Sequence, residues 1–207
     1  MFDDRGQAHT LEAFAAALVV LSGVVFALQA TAVTPLTGST SSQYIENQQA
    51  SQAESLLAAE AANGSVDDML LYWNETERRF HGAGKRGYTS GLPPTAFGTA
   101  FSEAFLERGI AYNVNVYSVR PGPNGSVAPA NATRERTRLV YLGEPTEHAT
   151  VATRTVTLSD DDRLLAADGT PTADTLGAAN TTYFAPDADP DSGLFGVFEV
   201  EVVLWRM

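Results

Sequence analysis

The longest apolar stretch of the chain runs from Ala13 to Val33 and contains no charged residue. Its polar side chains are confined to Ser22, Gln29 and Thr31. A helix of this length would span roughly 31 Å, which matches a hydrocarbon core of about 30 Å. We therefore expect residues 13–33 to form a transmembrane helix, with membrane lipid as a partner.

The flanks of this stretch indicate how the helix would be oriented. Arg5 is the only cation near either end, and cations favour the cytoplasmic side. We expect residues 1–12 to be a cytoplasmic segment and residues 43–207 an extracellular domain of a single-pass protein of the cell membrane. Pro35 and Gly38 predict that residues 34–42 form a linker that interrupts the helix.

Helical spacing of apolar residues marks three segments after the linker. Residues 43–62 are rich in Gln, Ala and Glu, and the third segment lies between Pro94 and Gly109. Two capping boxes predict helix starts, at Ser51 with Glu54 and at Ser65 with Asp68. The expected apolar stripes of the second and third helices are Val66, Met69, Leu70, Trp73 and Phe80, and Phe97, Ala100, Phe101, Ala104 and Phe105.

After Gly109 the apolar residues recur at every second position, as in β-strands. We expect four strands, near residues 112–117, 134–142, 150–158 and 195–205. On the second strand the alternation predicts one face with Arg134, Arg136 and Arg138 and the other with Thr137, Leu139 and Tyr141. Helices followed by strands are typical of the α+β class. The predicted fold is therefore α+β, with helices packed on a roughly four-stranded antiparallel sheet. On the last strand the expected buried side is Phe198, Val200, Val202 and Leu204, opposite Glu199 and Glu201.

Charge and cysteine content exclude several classes of function. The chain carries 25 acidic and 13 basic residues, a net charge of −12, and Lys85 is its only lysine. Such a surface repels nucleic acid and anionic lipid. The excess of Asp and Glu resembles proteins of salt-loving archaea, and an acidic secreted protein of ordinary salinity is the alternative. Without cysteine, disulfides and thiolate metal sites are excluded.

The residues before the apolar stretch resemble a known processing motif. Arg5, Gly6 and Gln7, followed by Glu12 at the start of the helix, resemble the type IV prepilins and archaellins of archaea. The resemblance implies cleavage of the Gly6–Gln7 bond by a prepilin peptidase and side-by-side packing of the exposed helices of pilin-like subunits. It also implies a pilin-like head for the outer domain.

Glu12 has two interpretations. By the resemblance, its carboxylate neutralises the α-amino group of a neighbouring subunit in a helical assembly. The alternative is local, because a carboxylate at a helix N-terminus is favoured by the helix dipole by about 0.3–1 kcal/mol.

Potential glycosylation sites point to an outside location for the domain. Five asparagines each open an N-x-[Ser/Thr] sequon, more than the one or two expected by chance from the Ser and Thr content. The candidates are Asn63, Asn74, Asn124, Asn131 and Asn180.

Two further clusters of charged residues are candidate binding sites. Asp187, Asp189 and Asp191 have the spacing of calcium ligands, but the following glycine comes one position late for an EF-hand loop and Pro190 interrupts it. The glycine-rich basic loop from His81 to Gly87 could hold an anionic sugar or phosphate, although a solvated loop is the simpler interpretation. We expect no bound metal and no cofactor. We also expect no catalytic residue, because no nucleophile motif is present.

These features give one leading hypothesis and two alternatives. The first is a non-enzymatic, pilin-like or pseudopilin-like surface subunit that assembles through its N-terminal helix. The second is a monomeric anchored module that binds a surface ligand. The third is a secreted soluble protein cleaved after Ala32, where Ala30-Thr31-Ala32 fits a signal peptidase site.

Overall fold

The computed structural model of the chain describes residues 4–121 and 132–207, with side chains of the first helix described at 12–27 and from 44 onward. The chain divides into two compact units, Met1–Ile45 and Glu46–Met207. The helices are α1 (Asp4–Ala62), α2 (Ser65–Leu71), α3 (Ala96–Ala104) and a 3₁₀ turn (Leu106–Arg108). The strands are β1 (Trp73–Asn74), β2 (Arg79–Phe80), β3 (Ile110–Arg120), β4 (Thr133–Tyr141), β5 (Thr150–Ser159), β6 (Arg163–Leu165), β7 (Pro171–Thr175) and β8 (Leu194–Arg206).

The expected transmembrane helix over residues 13–33 is wrong. Among the residues whose side chains the structure describes, no helix has both the length and the apolar character needed to cross a membrane.

The break expected within residues 34–42 is also absent. Helix α1 is continuous from Asp4 to Ala62, so it includes the stretch that was predicted to be a linker. Proline fixes φ close to the helical value and removes one amide donor, so Pro35 weakens the helix at one bond without requiring it to end. Because the helix continues through Ser51, the capping box predicted there does not start a helix; the hydroxyl of Ser55 instead donates to the Ser51 carbonyl at 2.8 Å.

The α+β class and the antiparallel sheet of four strands are confirmed. The strand order is β4-β3-β8-β5, and every neighbouring pair is antiparallel. Strands β4 and β5, the second and third of the four in chain order, form its two edges. Two short pairs, β1–β2 and β6–β7, lie outside this sheet and were not predicted.

One face of the sheet forms the core together with α2 and α3. The predicted stripe on β8 is confirmed, because Val200, Val202 and Leu204 are fully buried opposite the buried side chains of β3. The aromatic stripe of α3 meets this face where the rings of Phe101 and Tyr112 lie 5.6 Å apart. Burying each such side chain contributes about 1.5–3 kcal/mol, and in a chain without disulfides this packing is the main source of stability.

The ends of the short helices show which predicted caps form. Thr95 caps α3 by accepting a hydrogen bond from the amide of Gly98 at 3.4 Å. Ser65 does not cap α2 as predicted, because its hydroxyl donates to the carbonyl and the carboxylate of Glu60 in the last turn of α1. Gly64, in the left-handed conformation, precedes α2 instead.

A register shift in the β3–β4 pair changes the predicted faces of β4. Asn115 pairs with Arg138, whereas the preceding residue Val114 pairs with Val140, so Leu139 is the extra residue at the shift. The bulge moves Tyr141 onto the arginine face, where the guanidinium of Arg138 lies 4.3 Å from the Tyr141 ring centroid. The alternation in the sequence placed Tyr141 on the opposite face.

The turn after β4 is fixed by a buried asparagine on β3. Asn113 is only 6% exposed, and both ends of its amide are used. Its nitrogen donates to the Gly143 carbonyl at 2.9 Å, and its oxygen accepts from the Leu142 amide at 2.9 Å. Removing a buried side-chain amide that is hydrogen-bonded at both ends destabilises the fold, because its former hydrogen-bond partners remain buried.

We predict that Asn113→Ala lowers the free energy of unfolding by about 1–3 kcal/mol, since the carbonyl of Gly143 and the amide of Leu142 lose their partners. Denaturant unfolding of the full chain measures this change. Thr153→Ala, an exposed site on β5, is the matched control and should change stability by less than about 0.5 kcal/mol. Equal stabilities of the two variants would contradict the assignment.

Candidate functional site

The first candidate surface is the apolar segment of α1, defined as residues 12–27. Its large side chains are exposed on successive residues and therefore on all sides of the helix, with exposed fractions from 47% at Val25 to 75% at Phe26. The Ser22 hydroxyl donates a hydrogen bond to the Leu18 carbonyl at 2.7 Å, so this polar group is satisfied within the helix. A helix that is apolar on every side requires a cover.

The predicted processing residues lie at the start of the same helix. Arg5, Gly6 and Gln7 fall within α1, and their side chains lie outside the described residues. Glu12 is exposed at the beginning of the apolar segment. The helix thus carries the whole of the predicted motif ahead of its apolar surface.

The second candidate is a pocket of about 630 Å³ that lies beside the glycine-rich basic loop. We call this pocket the glycine pocket. Its wall contains two tyrosines, one histidine, residues 89–92 and three further glycines, Gly82, Gly84 and Gly87. The volume lies in the range of small-molecule sites. Sequence reasoning identified the loop but not the pocket.

Docking of the loop onto the edge of β4 creates this pocket. Gly84 and Gly87 exchange backbone hydrogen bonds of 3.1 Å, which close a tight turn with Lys85 and Arg86 at its tip. Gly87 has φ +81°, and a Cβ there would lie 2.4 Å from the Leu139 carbonyl oxygen, so only glycine allows this approach. The next residue, Tyr88, then pairs with β4 through its amide and carbonyl.

The side chains of the pocket wall are held by main-chain carbonyls. The hydroxyl of Tyr72 donates to Ala167 at 2.6 Å, and that of Tyr88 donates to His81. His81 donates from Nε2 to the Leu165 carbonyl at 3.0 Å, which leaves Nδ1 as its second polar atom. Burial raises the pKa of both tyrosines, so they stay neutral at ordinary pH.

The outer face of the sheet carries a network of charged and polar side chains. Glu201 accepts from the Asn115 amide at 2.9 Å and from the Tyr117 hydroxyl at 3.1 Å. Arg134 pairs with Glu199 at 2.6 Å and lies 3.7 Å from the centroid of the Tyr117 ring. The placement of both glutamates opposite the core, predicted from the alternation, is confirmed.

The aspartates that resemble calcium ligands, Asp187, Asp189 and Asp191, lie in the loop before β8, close to a second acidic loop that follows β5. We call residues 160–162 and 187–191 the acidic loops. The amide of Asp160 bonds the Gly193 carbonyl at 3.2 Å, and partial desolvation, reinforced by the charge of Asp187, raises the pKa of Asp160. Asp187 accepts from the amide of Asp189 at 2.9 Å in a local turn. Among the residues whose side chains the structure describes, 12–27, 44–121 and 132–207, no group of three His, Asp or Glu side chains is arranged to hold a metal.

Three of the five sequons lie in described residues. Asn63 and Asn180 are exposed, and Asn74 is half-buried in β1. Asn63 accepts from the Ser65 amide, and Asn74 accepts from the Glu77 amide, both at 3.0 Å. Asn124 and Asn131 lie outside the described residues.

The comparisons with known proteins give a family and nothing more specific. A family of unknown function, DUF7288, matches residues 5–204. Neither the curated proteins nor the solved structures contain a match. The matched range includes the residues predicted to be processed, the apolar segment and the four-stranded sheet as far as Leu204, and the chain therefore belongs to the DUF7288 family of unknown function.

Proposed function

We propose that this protein is a non-enzymatic, pilin-like subunit of the cell surface that assembles with other copies through the apolar segment of α1. The observation that carries the proposal is the exposure of that segment on all sides of the helix. Removal of the residues before Gln7 by a prepilin-type peptidase would precede assembly. The exposed sequon residues Asn63 and Asn180 support display outside the cell.

The free energy of association between two copies of this helix is expected to be favourable. Full burial of a Val, Leu or Phe side chain contributes about 1.5–3 kcal/mol. Association costs roughly 4–15 kcal/mol in lost freedom of motion. A contact that covers half a dozen of the exposed side chains, which include Phe14, Leu18 and Leu21, offsets that cost. Small residues between them, such as Ala17 and Gly23, allow two helices to approach closely.

We expect Val19→Cys to form disulfide-linked dimers under mild oxidation, because Val19 is 72% exposed on the surface proposed to join two copies. The chain has no other cysteine, so any link must join two introduced ones. Non-reducing electrophoresis of the full chain gives the dimer fraction. Ala173→Cys, exposed on β7, is the control and should remain monomeric. Equal dimer fractions in the two variants would be incompatible with assembly through this segment.

A second experiment tests the processing step. Intact-mass measurement of the chain purified from cells with a prepilin-type peptidase should give a start at Gln7. Gly6→Asp should retain the residues before Gln7, because the bulky charge replaces the small residue at the scissile bond. Asp3→Asn, which keeps Gly6, should be cleaved as in the original chain. Retention of Met1 in the unchanged protein would contradict the processing step.

The glycine pocket favours a second candidate function, the binding of a small acidic sugar. Its open volume, the Thr89 and Ser90 hydroxyls of its wall and the nearby cations Lys85 and Arg86 support an anionic ligand. In this alternative the protein is a monomeric surface module, and ligand binding does not depend on the apolar segment of α1.

Titration of the full chain with glucuronate, followed by calorimetry, tests this second candidate. We expect saturable binding, no heat with neutral glucose, and a loss of about tenfold or more in affinity in Arg86→Ala, because a hydrogen bond to a charged group contributes about 1.5–3 kcal/mol. Arg108→Ala, an exposed arginine outside the pocket, is the matched control. Identical responses to glucuronate and glucose would exclude the candidate.

A further inference from the structure

A smaller pocket lies where the end of α1 meets α2 and one edge of the sheet, and we call it the helix-end pocket. Its volume is about 220 Å³, and its wall consists of Ala61 and Ala62 of α1, Asp67 of α2 and residues 154–157 of β5. Drug-sized ligands occupy sites of about 300–1,000 Å³, so this pocket suits a smaller molecule.

The reversal of the chain between the two helices forms one side of this pocket. The amide of Asn63 donates to the Ala59 carbonyl at 3.0 Å, and Gly64 follows in the left-handed conformation that commonly ends a helix. Helix α2 therefore begins beside the last turn of α1. The small side chains of Ala61 and Ala62 leave room there for the pocket.

The other side of the pocket is an open edge of the sheet. Strand β5 pairs with β8 alone among the residues that the structure describes. Successive side chains of a strand point to opposite faces, so four consecutive residues line one pocket where that pocket lies against the edge of the strand. An open edge carries unpaired backbone N–H and C=O groups, and these can bond a polar ligand.

Asp67 gives the pocket a negatively charged group that lacks a cation. Its Oδ1 atom is buried and has no hydrogen-bond donor within the described part of the chain. Partial burial, reinforced by the charges of Asp162 and Asp68, raises the pKa of Asp67. Because a partly desolvated carboxylate is costly without a positive partner, a cationic group bound in the pocket would stabilise its ionised form.

Arg154 gives the same pocket a positively charged group. It is exposed on β5, and neither Arg154 nor Asp67 forms an ion pair among the residues whose side chains are described. A guanidinium binds a carboxylate well because its planar N–H groups can donate two parallel hydrogen bonds. The pocket thus presents one charge of each sign, together with the polar groups of the strand edge.

We propose that the helix-end pocket binds a small zwitterion, whose ammonium group lies at Asp67 and whose carboxylate lies at Arg154. A metal ion fits these residues less well, because no three acidic or histidine side chains of the described residues are arranged to hold one. This site goes beyond the proposed function and depends on neither the apolar segment of α1 nor the glycine pocket.

Two simpler occupants of the space are water and a direct ion pair formed when the Arg154 side chain turns toward Asp67. Both would leave the charges satisfied without a ligand. They predict no saturable binding of a zwitterion, so a binding measurement distinguishes them from the proposal.

The test is calorimetric titration of the full chain with glycine, β-alanine and 4-aminobutyrate, which hold an ammonium group and a carboxylate at increasing separation. We expect saturable binding of at least one of the three. Butylamine and butyrate, which carry a single charge each, should bind at least about tenfold more weakly, because each loses one charged hydrogen bond. Absence of binding by all three zwitterions, or equal binding by a singly charged probe, would overturn the proposal.

Substitutions locate the bound probe. Asp67→Asn and Arg154→Gln should each lower the affinity by about tenfold or more, since each removes one charged partner. The controls are Asp68→Asn, exposed on the same helix, and Arg108→Gln, exposed outside the pocket, and both should bind as the original chain does. Thermal unfolding establishes that each variant folds, and the exposed Arg154 keeps the test valid if Asp67→Asn does not. Unchanged affinity in Arg154→Gln would refute the assignment of the carboxylate.

The outcome separates this site from the proposed function. Arg86→Ala should leave the affinity for the zwitterion unchanged, whereas a loss of binding there would place the probe in the glycine pocket and refute the proposal. Binding of the zwitterion without cross-links through Val19→Cys would support the helix-end pocket and contradict assembly through α1. The reverse result would leave the proposed function standing and refute the pocket.

Discussion

The pairing of β3 with β8 is the interaction on which the rest of the described domain depends. Each strand sends alternate side chains into the core, and the two rows meet across the sheet with Val114 opposite Val202 and Val116 opposite Val200. These side chains are fully buried, so a slip of either strand by one residue would turn the apolar row of that strand to the outer face. The same alternation leaves Asn115, Glu199 and Glu201 on the outer face. Burial on one face therefore fixes the position of the charges on the other.

Much of this domain could be predicted from the sequence because its elements follow one dominant period. The aromatic stripe at Phe97, Phe101 and Phe105 and the alternation along β8 are local signals that tertiary packing reinforces. Tyr141 was assigned to the wrong face because a bulge at Leu139 depends on the partner strand, which the sequence of β4 alone does not reveal.

Other features escaped because they depend on contacts distant in sequence. The glycine pocket exists because Gly87 approaches the Leu139 carbonyl, and nothing near Gly87 in the sequence indicates that partner. The positive φ of Gly87 leaves no signal in the sequence other than the glycine itself, and many loops contain a glycine. Ser65 fits a cap by spacing, yet the preceding helix offers it Glu60 as a partner. The predicted linker gave too much weight to Pro35 within a stretch that the structure describes as helix.

Exposed apolar surface on α1 is the feature of this DUF7288 member that most needs a partner, and we propose that other copies of the chain bury it. Hydrogen–deuterium exchange of the full chain at several protein concentrations tests that claim most directly. Amides of residues 12–27 should become more protected as concentration rises, while those of β3 and β8 should not change. Exchange in residues 12–27 that is independent of concentration would contradict the account.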